Sequence, residues 1–398
     1  MQNQEEKYKS FKIELIFDQL VIYRRSLHKI PEPSLNEVKT AQYIKCTLEG
    51  LNIPHKSIAR TGVVAFIEGM EDYTIAFRAD MDGLPLEEKT GLDFCSTNSG
   101  YMHACGHDMH MAILLGIATY YASNKPPCNL LLIFQPAEEG KGGAQLMLDE
   151  DIFKVFTKPS LIFGLHVYPE LETGKVAFCP GNAWAGSCEF EIDLSGKGGH
   201  GAEPEKSTDL AFIFSSFYTS IQSLLSRKKK SSDVAIITCG KVNGFNVPNV
   251  LAAKASIGGT FRFMAKSMYS FLNSSIVSVL DGFKSIYDFN YLYKENSVYL
   301  PVNNSIAVSD KFLSLCENIK KRKTNNDFQL QIAKQVMISD DISYFLDKIP
   351  GIYFFLGVKD KEEIARLHTE DFNPSEKALS IGFWLYKMII DNFKSLIL

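Results

Sequence analysis

The chain has 398 residues, 45% of them hydrophobic and 22% charged, with a formal net charge of -4. That balance belongs to a globular enzyme with a sizeable core, and the mild negative charge argues against nucleic acid as a default partner. At roughly 150 residues per domain, the length calls for two or three domains.

The opening stretch Met1-Gln2-Asn3-Gln4-Glu5-Glu6-Lys7 has no basic region leading into an apolar run, and no stretch of about 18 apolar residues occurs. The expectation is a cytoplasmic protein without a membrane partner. Short, continuously apolar runs come next: Val63-Val64-Ala65-Phe66-Ile67, Thr74-Ile75-Ala76-Phe77, Leu130-Leu131-Leu132-Ile133-Phe134 and Leu161-Ile162-Phe163-Gly164-Leu165. Helical segments such as Met109 to Ala122 separate them. Apolarity without alternation marks strands covered on both faces, so the expected fold is α/β with a mostly parallel sheet.

From Glu189 the texture changes. Glu189-Phe190-Glu191-Ile192-Asp193-Leu194 alternates polar and apolar, as a sheet with one wet face does. Thr208-Asp209 offers an N-cap for a helix to about Arg227, and Arg227-Lys228-Lys229-Lys230 reads as its solvated C-terminus. Strands near Val234–Val242 and Lys254–Phe263, a helix near Lys266–Tyr287 and a strand near Tyr291–Tyr299 complete a β-α-β-β-α-β order, that of a ferredoxin-like α+β domain. The run Ile352-Tyr353-Phe354-Phe355-Leu356 then returns to the first texture. The expected division is 1–186 and 303–398 for the α/β domain, with 187–302 inserted.

The chemistry sits in Cys105-Gly106-His107-Asp108, the pair Glu138-Glu139, and the histidines His166 and His368. Imidazole, thiolate and carboxylate are the donors a divalent first-row metal takes. Two such metals about 3.5–4 Å apart hold a water between them and acidify it toward hydroxide near pH 7. In a doubled Glu, one side chain can bind metal while the other faces the water as general base. Asp80, Glu138-Glu139, His166 and His368 all fall at or beyond the ends of expected strands, with His166 closing Leu161–Leu165, which is where open α/β sheets build sites. His110 reads as packing and Asp82 as structural. The eight cysteines, without paired spacing, read as reduced thiols, and the seven besides Cys105 as small buried hydrophobes.

His28-Lys29-Ile30-Pro31-Glu32, Arg78-Ala79-Asp80-Met81-Asp82, Met102-His103-Ala104-Cys105-Gly106-His107-Asp108, Phe134-Gln135-Pro136-Ala137-Glu138-Glu139-Gly140, Gly164-Leu165-His166, Gly196-Lys197-Gly198-Gly199-His200 and Gly259-Thr260-Phe261-Arg262 occur in that order. Together they resemble the M20 peptidase superfamily, in the branch of hippurate and N-acyl-amino-acid hydrolases. Within it, Thr90-Gly91-Leu92, Asp108-Met109-His110-Met111, Pro169-Glu170-Leu171 and Asn249-Val250-Leu251-Ala252 are most similar to the deacetylases of N-acetyldiaminopimelate in lysine synthesis.

The resemblance implies a catalytic α/β domain with two divalent ions (Zn, Mn, Co or Ni), an inserted lid that also joins a homodimer, and hydrolysis of an acetyl amide of an N-acyl amino acid. It assigns Cys105, His107, Glu139, His166 and His368 as metal ligands and Glu138 as the base. It also makes Asp80 the carboxylate orienting a metal-binding histidine, and His200 the donor to the developing oxyanion. Asn249 and Arg262 would hold the amino-acid end of the substrate. A hippurate hydrolase, general aminoacylase or dipeptidase would share every catalytic residue, and a non-catalytic homologue would be marked by a missing one. Relatives commonly read Gly-Glu-Asp-Phe where this chain has Ser339-Asp340-Asp341-Ile342, a departure that bears on substrate preference and leaves the ligands intact.

Overall fold

The protein is described from a computed structural model covering residues 16–321, 328–360 and 365–397; the stretch that carries the localisation reading lies outside them. The chain divides into two compact units: Met1–Gly181, Asn303–Lys334 and Asp341–Leu398 in one, Asn182–Val302 and Gln335–Asp340 in the other.

Every apolar run of the first half becomes a strand. In the first unit an eight-stranded sheet runs in the order His55–Ile58, Gly62–Ile67, Cys128–Gln135, Glu71–Asp80, Leu161–Glu172, Gly351–Lys359, Lys175–Phe178, Gln329–Ile332. Its middle is parallel: Glu71–Asp80 lies between Cys128–Gln135 and Leu161–Glu172, and Gly351–Lys359 is next in line. Cys128–Gln135 is buried at all of its positions, as a strand covered on both faces must be.

Gly62–Ile67 departs from the parallel expectation and pairs antiparallel with Cys128–Gln135. The cause is the short link Glu68-Gly69-Met70 to the next strand. A link this short reverses the chain into Glu71–Asp80, and because that strand runs parallel to Cys128–Gln135, which lies between the two, Gly62–Ile67 is antiparallel to Cys128–Gln135. The helix His107–Ala122 is buried nearly all round, and its apolar side chains share one core with those of Lys377–Asp391 and the sheet.

The second unit holds a four-stranded antiparallel sheet in the order Ala235–Asn243, Lys254–Phe263, Gly186–Gly196, Phe289–Tyr299. Phe190, Ile192 and Leu194 pack on the helices Leu210–Lys228 and Lys266–Lys284, while the alternating Glu189 and Asp193 are exposed and Glu191 is half-buried. The Asp209 carboxylate caps the first helix by accepting the Phe212 N–H at 3.0 Å.

The cysteines are all free thiols, but burial is less general than their composition implies. Only Cys128 and Cys188 join Cys105 in the interior, and Cys46 is exposed. Among the described residues no helix is long and apolar enough to cross a membrane.

Candidate metal centre and active site

The strand ends of the first unit bring five expected donors together. Gly106 is the N-cap of His107–Ala122, with φ of 81°, and a Cβ there would lie 2.4 Å from Val167 Cγ2. Only glycine fits, and it lets the helix begin at His107 directly beside Cys105. His107 Nδ1–H donates to the Asp82 carbonyl at 2.8 Å, which fixes the tautomer. The other nitrogen, Nε2, is buried with no hydrogen-bond partner among the described residues.

His166 is fixed in the same way: its Nδ1–H donates to the Val167 carbonyl at 2.7 Å, and Nε2 faces Cys105 Sγ at 3.3 Å. His368 Nε2 also lies 3.3 Å from the thiol, and 3.3 Å from Glu139 Oε1. His368 sits in a turn with φ of 63°, tied by its N–H to the Ala104 carbonyl at 2.9 Å.

Cys105 is therefore common to two groups, Cys105–His107–His166 and Cys105–Glu139–His368, while His107 also groups with Glu138 and Glu139. In each group the candidate ligand atoms lie within 4.8 Å of one another. His107 Nε2 has no hydrogen-bond partner among the described residues, and Glu139 Oε1 meets only the His368 ring nitrogen there, so both are free to bind a cation and the donor set fits one. Without one, burial and the charges of Glu139, Glu138 and Asp80 push the Cys105 thiol well up. Burial lowers the His107 pKa, but Asp80 and Asp82 outweigh it and carry it up to about 10. His166, buried and next to His110, falls well below the ordinary histidine value.

His166 lies inside its strand rather than closing it, because Leu161–Glu172 continues against Gly351–Lys359. Pairing with Glu71–Asp80 stops at Gly164, so toward that neighbour His166 is already past the end of the paired register. Asp80 also differs from expectation. Its carboxylate accepts from His110 Nδ1 at 2.6 Å and from Arg78 Nη1 at 2.6 Å, and is 3.7 Å from His107 Nε2. Helix geometry explains this, since His110 is one turn on from His107 and on the same face. His110 Nε2 accepts the Val167 N–H at 3.0 Å, so both of its nitrogens are engaged in packing the site wall.

The residue that orients a candidate ligand is Asp82, which sequence reading left as structural. Besides the carbonyl on His107, its carboxylate accepts the N–H groups of Glu138 at 3.1 Å and Glu139 at 3.0 Å and the Ser34 hydroxyl at 2.7 Å. Its position two residues after Asp80, beyond a strand end, was the available signal.

The other expected site residues belong to the second unit. His200 is exposed, its Nδ1 accepting the Ala202 N–H at 3.1 Å, and Asn249 lies alongside through the Gly201 N–H at 2.9 Å. Arg262 stands on the strand Lys254–Phe263, paired across to Ser187, and donates to the Thr260 hydroxyl.

A cluster of metal-type donors, buried at Cys105, His107 and His166, half-buried at Glu139 and exposed at His368, at the C-terminal edge of a largely parallel sheet defines a metallohydrolase-type site. Residues 76–392 match peptidase family M20/M25/M40, and the chain belongs to that family. Among its relatives, the N-acetyldiaminopimelate deacetylase of Shouchella clausii is 36% identical, over 91% of this chain and 95% of its own. The N-acetyldiaminopimelate deacetylase of Brevibacillus brevis is 38% identical, over 91% and 94%. The crystal structure of the Bacillus subtilis YXEP protein, a dinuclear metal-binding peptidase of the M20 family, is similar with a TM-score of 0.80. It is 28% identical, covering 96% of this chain and 100% of that one.

Proposed function

We propose that this chain is a metal-dependent amidohydrolase that cleaves N-acetyl-L,L-diaminopimelate to acetate and L,L-diaminopimelate. The observation that carries the reading is the convergence of Cys105, His107, Glu139, His166 and His368 on one cluster, with Glu138 beside it. The names of the curated relatives support the substrate. Two divalent ions held by these five residues would supply Lewis acidity that acidifies water and polarises a carbonyl, and Zn, Mn, Co and Ni all accept such donors.

Glu138 takes the proton of the attacking water and delivers it to the leaving amine, the general acid–base role a carboxylate beside acidified water performs. Asp80 holds the site wall through His110 and Arg78. The unit containing residues 187–302 acts as a lid and as the contact of a homodimer. From it His200 donates to the developing oxyanion, and Asn249 and Arg262 hold the amino-acid end, where a planar guanidinium suits a carboxylate. The reaction takes place in the cytoplasm.

Diaminopimelate carries a second charged amino-acid head. A pocket built to pair with that head discriminates against analogues lacking it, because its own polar groups are left unpaired. Metal-reconstituted enzyme assayed on N-acetyl-L,L-diaminopimelate, N-acetylmethionine, hippurate and a dipeptide is expected to show kcat/KM at least about tenfold higher for the first, about 1.4 kcal/mol in the transition state. Equal or better turnover of hippurate would retain the amidohydrolase and overturn the diaminopimelate substrate.

A further inference from the structure

The segment that carries Glu138 and Glu139 is held by its backbone. Ala137 has φ of 56°, a conformation a side-chain-bearing residue rarely adopts, and Gly143 presses so close to the Pro136 carbonyl that a Cβ would lie 1.7 Å from its oxygen. Such a turn persists only where its surroundings fix it.

Three carboxylates do so, each at most 1% exposed. Glu37 Oε1 accepts the Ala137 N–H at 2.8 Å and the Leu35 N–H at 3.0 Å, and Oε2 accepts the Thr61 hydroxyl at 2.5 Å. Asp82 accepts the next two N–H groups in sequence, Glu138 on Oδ1 and Glu139 on Oδ2. Asp341 closes the far end: it accepts the Ala144 N–H at 2.9 Å, the Gln135 amide at 2.7 and 2.9 Å, and Arg78 Nη2 at 2.9 Å. Three consecutive amides around the two glutamates thus point at carboxylate oxygens, and both ends of the turn are pinned by a third.

We propose that Glu37, Asp82 and Asp341 are positioning residues for the proposed reaction: they fix the Glu138–Glu139 pair by accepting backbone N–H groups within its turn and, at its ends, the Ala144 N–H and the Gln135 side-chain amide. This rests on the roles given to that pair under the proposed function. Hydrogen bonds from N–H to an ionised carboxylate are stronger than neutral ones, and a displacement of about 1 Å at a reacting group costs on the order of 10² in rate.

The hydrogen-bond pattern predicts unequal effects from isosteric neutralisation. At Glu37 a glutamine keeps its carbonyl on the two N–H groups and gives its amide to the Thr61 oxygen, so Glu37→Gln is tolerated while Glu37→Leu is not. At Asp82 both oxygens face N–H groups, so Asp82→Asn turns a donor on a donor, and Asp341→Asn does the same against Ala144, Gln135 or Arg78.

The test measures kcat, KM and the visible absorption of the Co(II)-loaded enzyme for the four variants, in preparations whose folding is checked by near-UV circular dichroism. Asp82→Asn, Asp341→Asn and Glu37→Leu are expected to lower kcat by more than about fivefold, within the range a misplaced group costs, with KM little changed and the Co(II) spectrum altered. Glu37→Gln should match the parent in all three readouts. Equal losses in the three isosteric variants would show that buried charge alone matters and overturn the positioning role, as would parent-like kcat and spectrum in folded Asp82→Asn. Should Asp82→Asn not fold, the contrast of Glu37→Gln with Glu37→Leu decides. Should the parent itself lack amidase turnover, the proposed function fails, and the Co(II) spectra still decide the placement of Glu139.

Discussion

Cys105 is the side chain on which the centre turns, because its sulfur lies 3.3 Å from the ring nitrogens of both His166 and His368. Removing it takes a donor from both candidate groups. Cys105→Ala is therefore expected to lose bound metal and amidase activity together, measured by metal content per chain and by turnover; full activity with two metals retained would remove Cys105 from the ligand set. Glu138→Gln should separate the two readouts, keeping metal while turnover collapses, since it removes a proton acceptor and leaves the donor Glu139 in place. If metal is lost instead, the roles within the pair are reversed. His200→Ala should lower kcat on the order of 10²–10³, the effect of removing one oxyanion donor, with metal content unchanged. Parent-like kcat would leave His200 an exposed loop histidine.

The element that places the chemistry is the start of the helix His107–Ala122, and it is anchored from behind. Asp108 Oδ2 accepts from His28 Nδ1 at 2.8 Å and from Arg24 Nε at 3.2 Å, and His28 Nε2 reaches Glu88 Oε1 at 3.1 Å. Burial opposes charge on His28, but Asp108 and Glu88 outweigh it and raise its pKa to about 9 from 6.5. A raised histidine pKa stabilises the fold fully below the unfolded value and ceases to do so as pH rises through the folded one. Urea unfolding is therefore expected to show the parent losing on the order of 2–3 kcal/mol relative to His28→Gln between about pH 6 and 9.5. Parallel pH profiles for the two proteins would mean that His28 is not held charged.

For the whole molecule, the residues given roles under the proposed function are divided between the units: the proposed metal ligands and Glu138 belong to the first, His200, Asn249 and Arg262 to the second. The proposed homodimer, joined through the second unit, would let His200 serve the partner's proposed metal centre. Mixing His200→Ala chains with Glu138→Gln chains under conditions of subunit exchange is then expected to restore activity, because one centre in each mixed dimer has both residues intact. Subunit exchange without recovered turnover would assign each site to a single chain.

By itself the sequence determined the features that depend on local chemistry and periodicity. Apolar runs became the sheet strands, the alternation at Glu189–Leu194 became a sheet with one wet face, and the convergence of Cys105, His107, Glu139, His166 and His368 was legible because few residue types bind metals. Only the tertiary structure decided strand direction at Gly62–Ile67, where continuous apolarity reports burial on both faces and says nothing of orientation. It alone paired Asp80 with His110 and gave Asp82 and Glu37 to the backbone of the Glu138–Glu139 turn. It also changed the meaning of Asp341, which in sequence was part of a departure bearing on substrate and in the fold is buried against Arg78, Gln135 and Ala144. A carboxylate that binds a main-chain N–H distant in sequence leaves no residue-type signature at its partner, since every residue but proline offers the same donor. Donor identity is written in the sequence, whereas backbone acceptance exists only once the chain has brought the two places together.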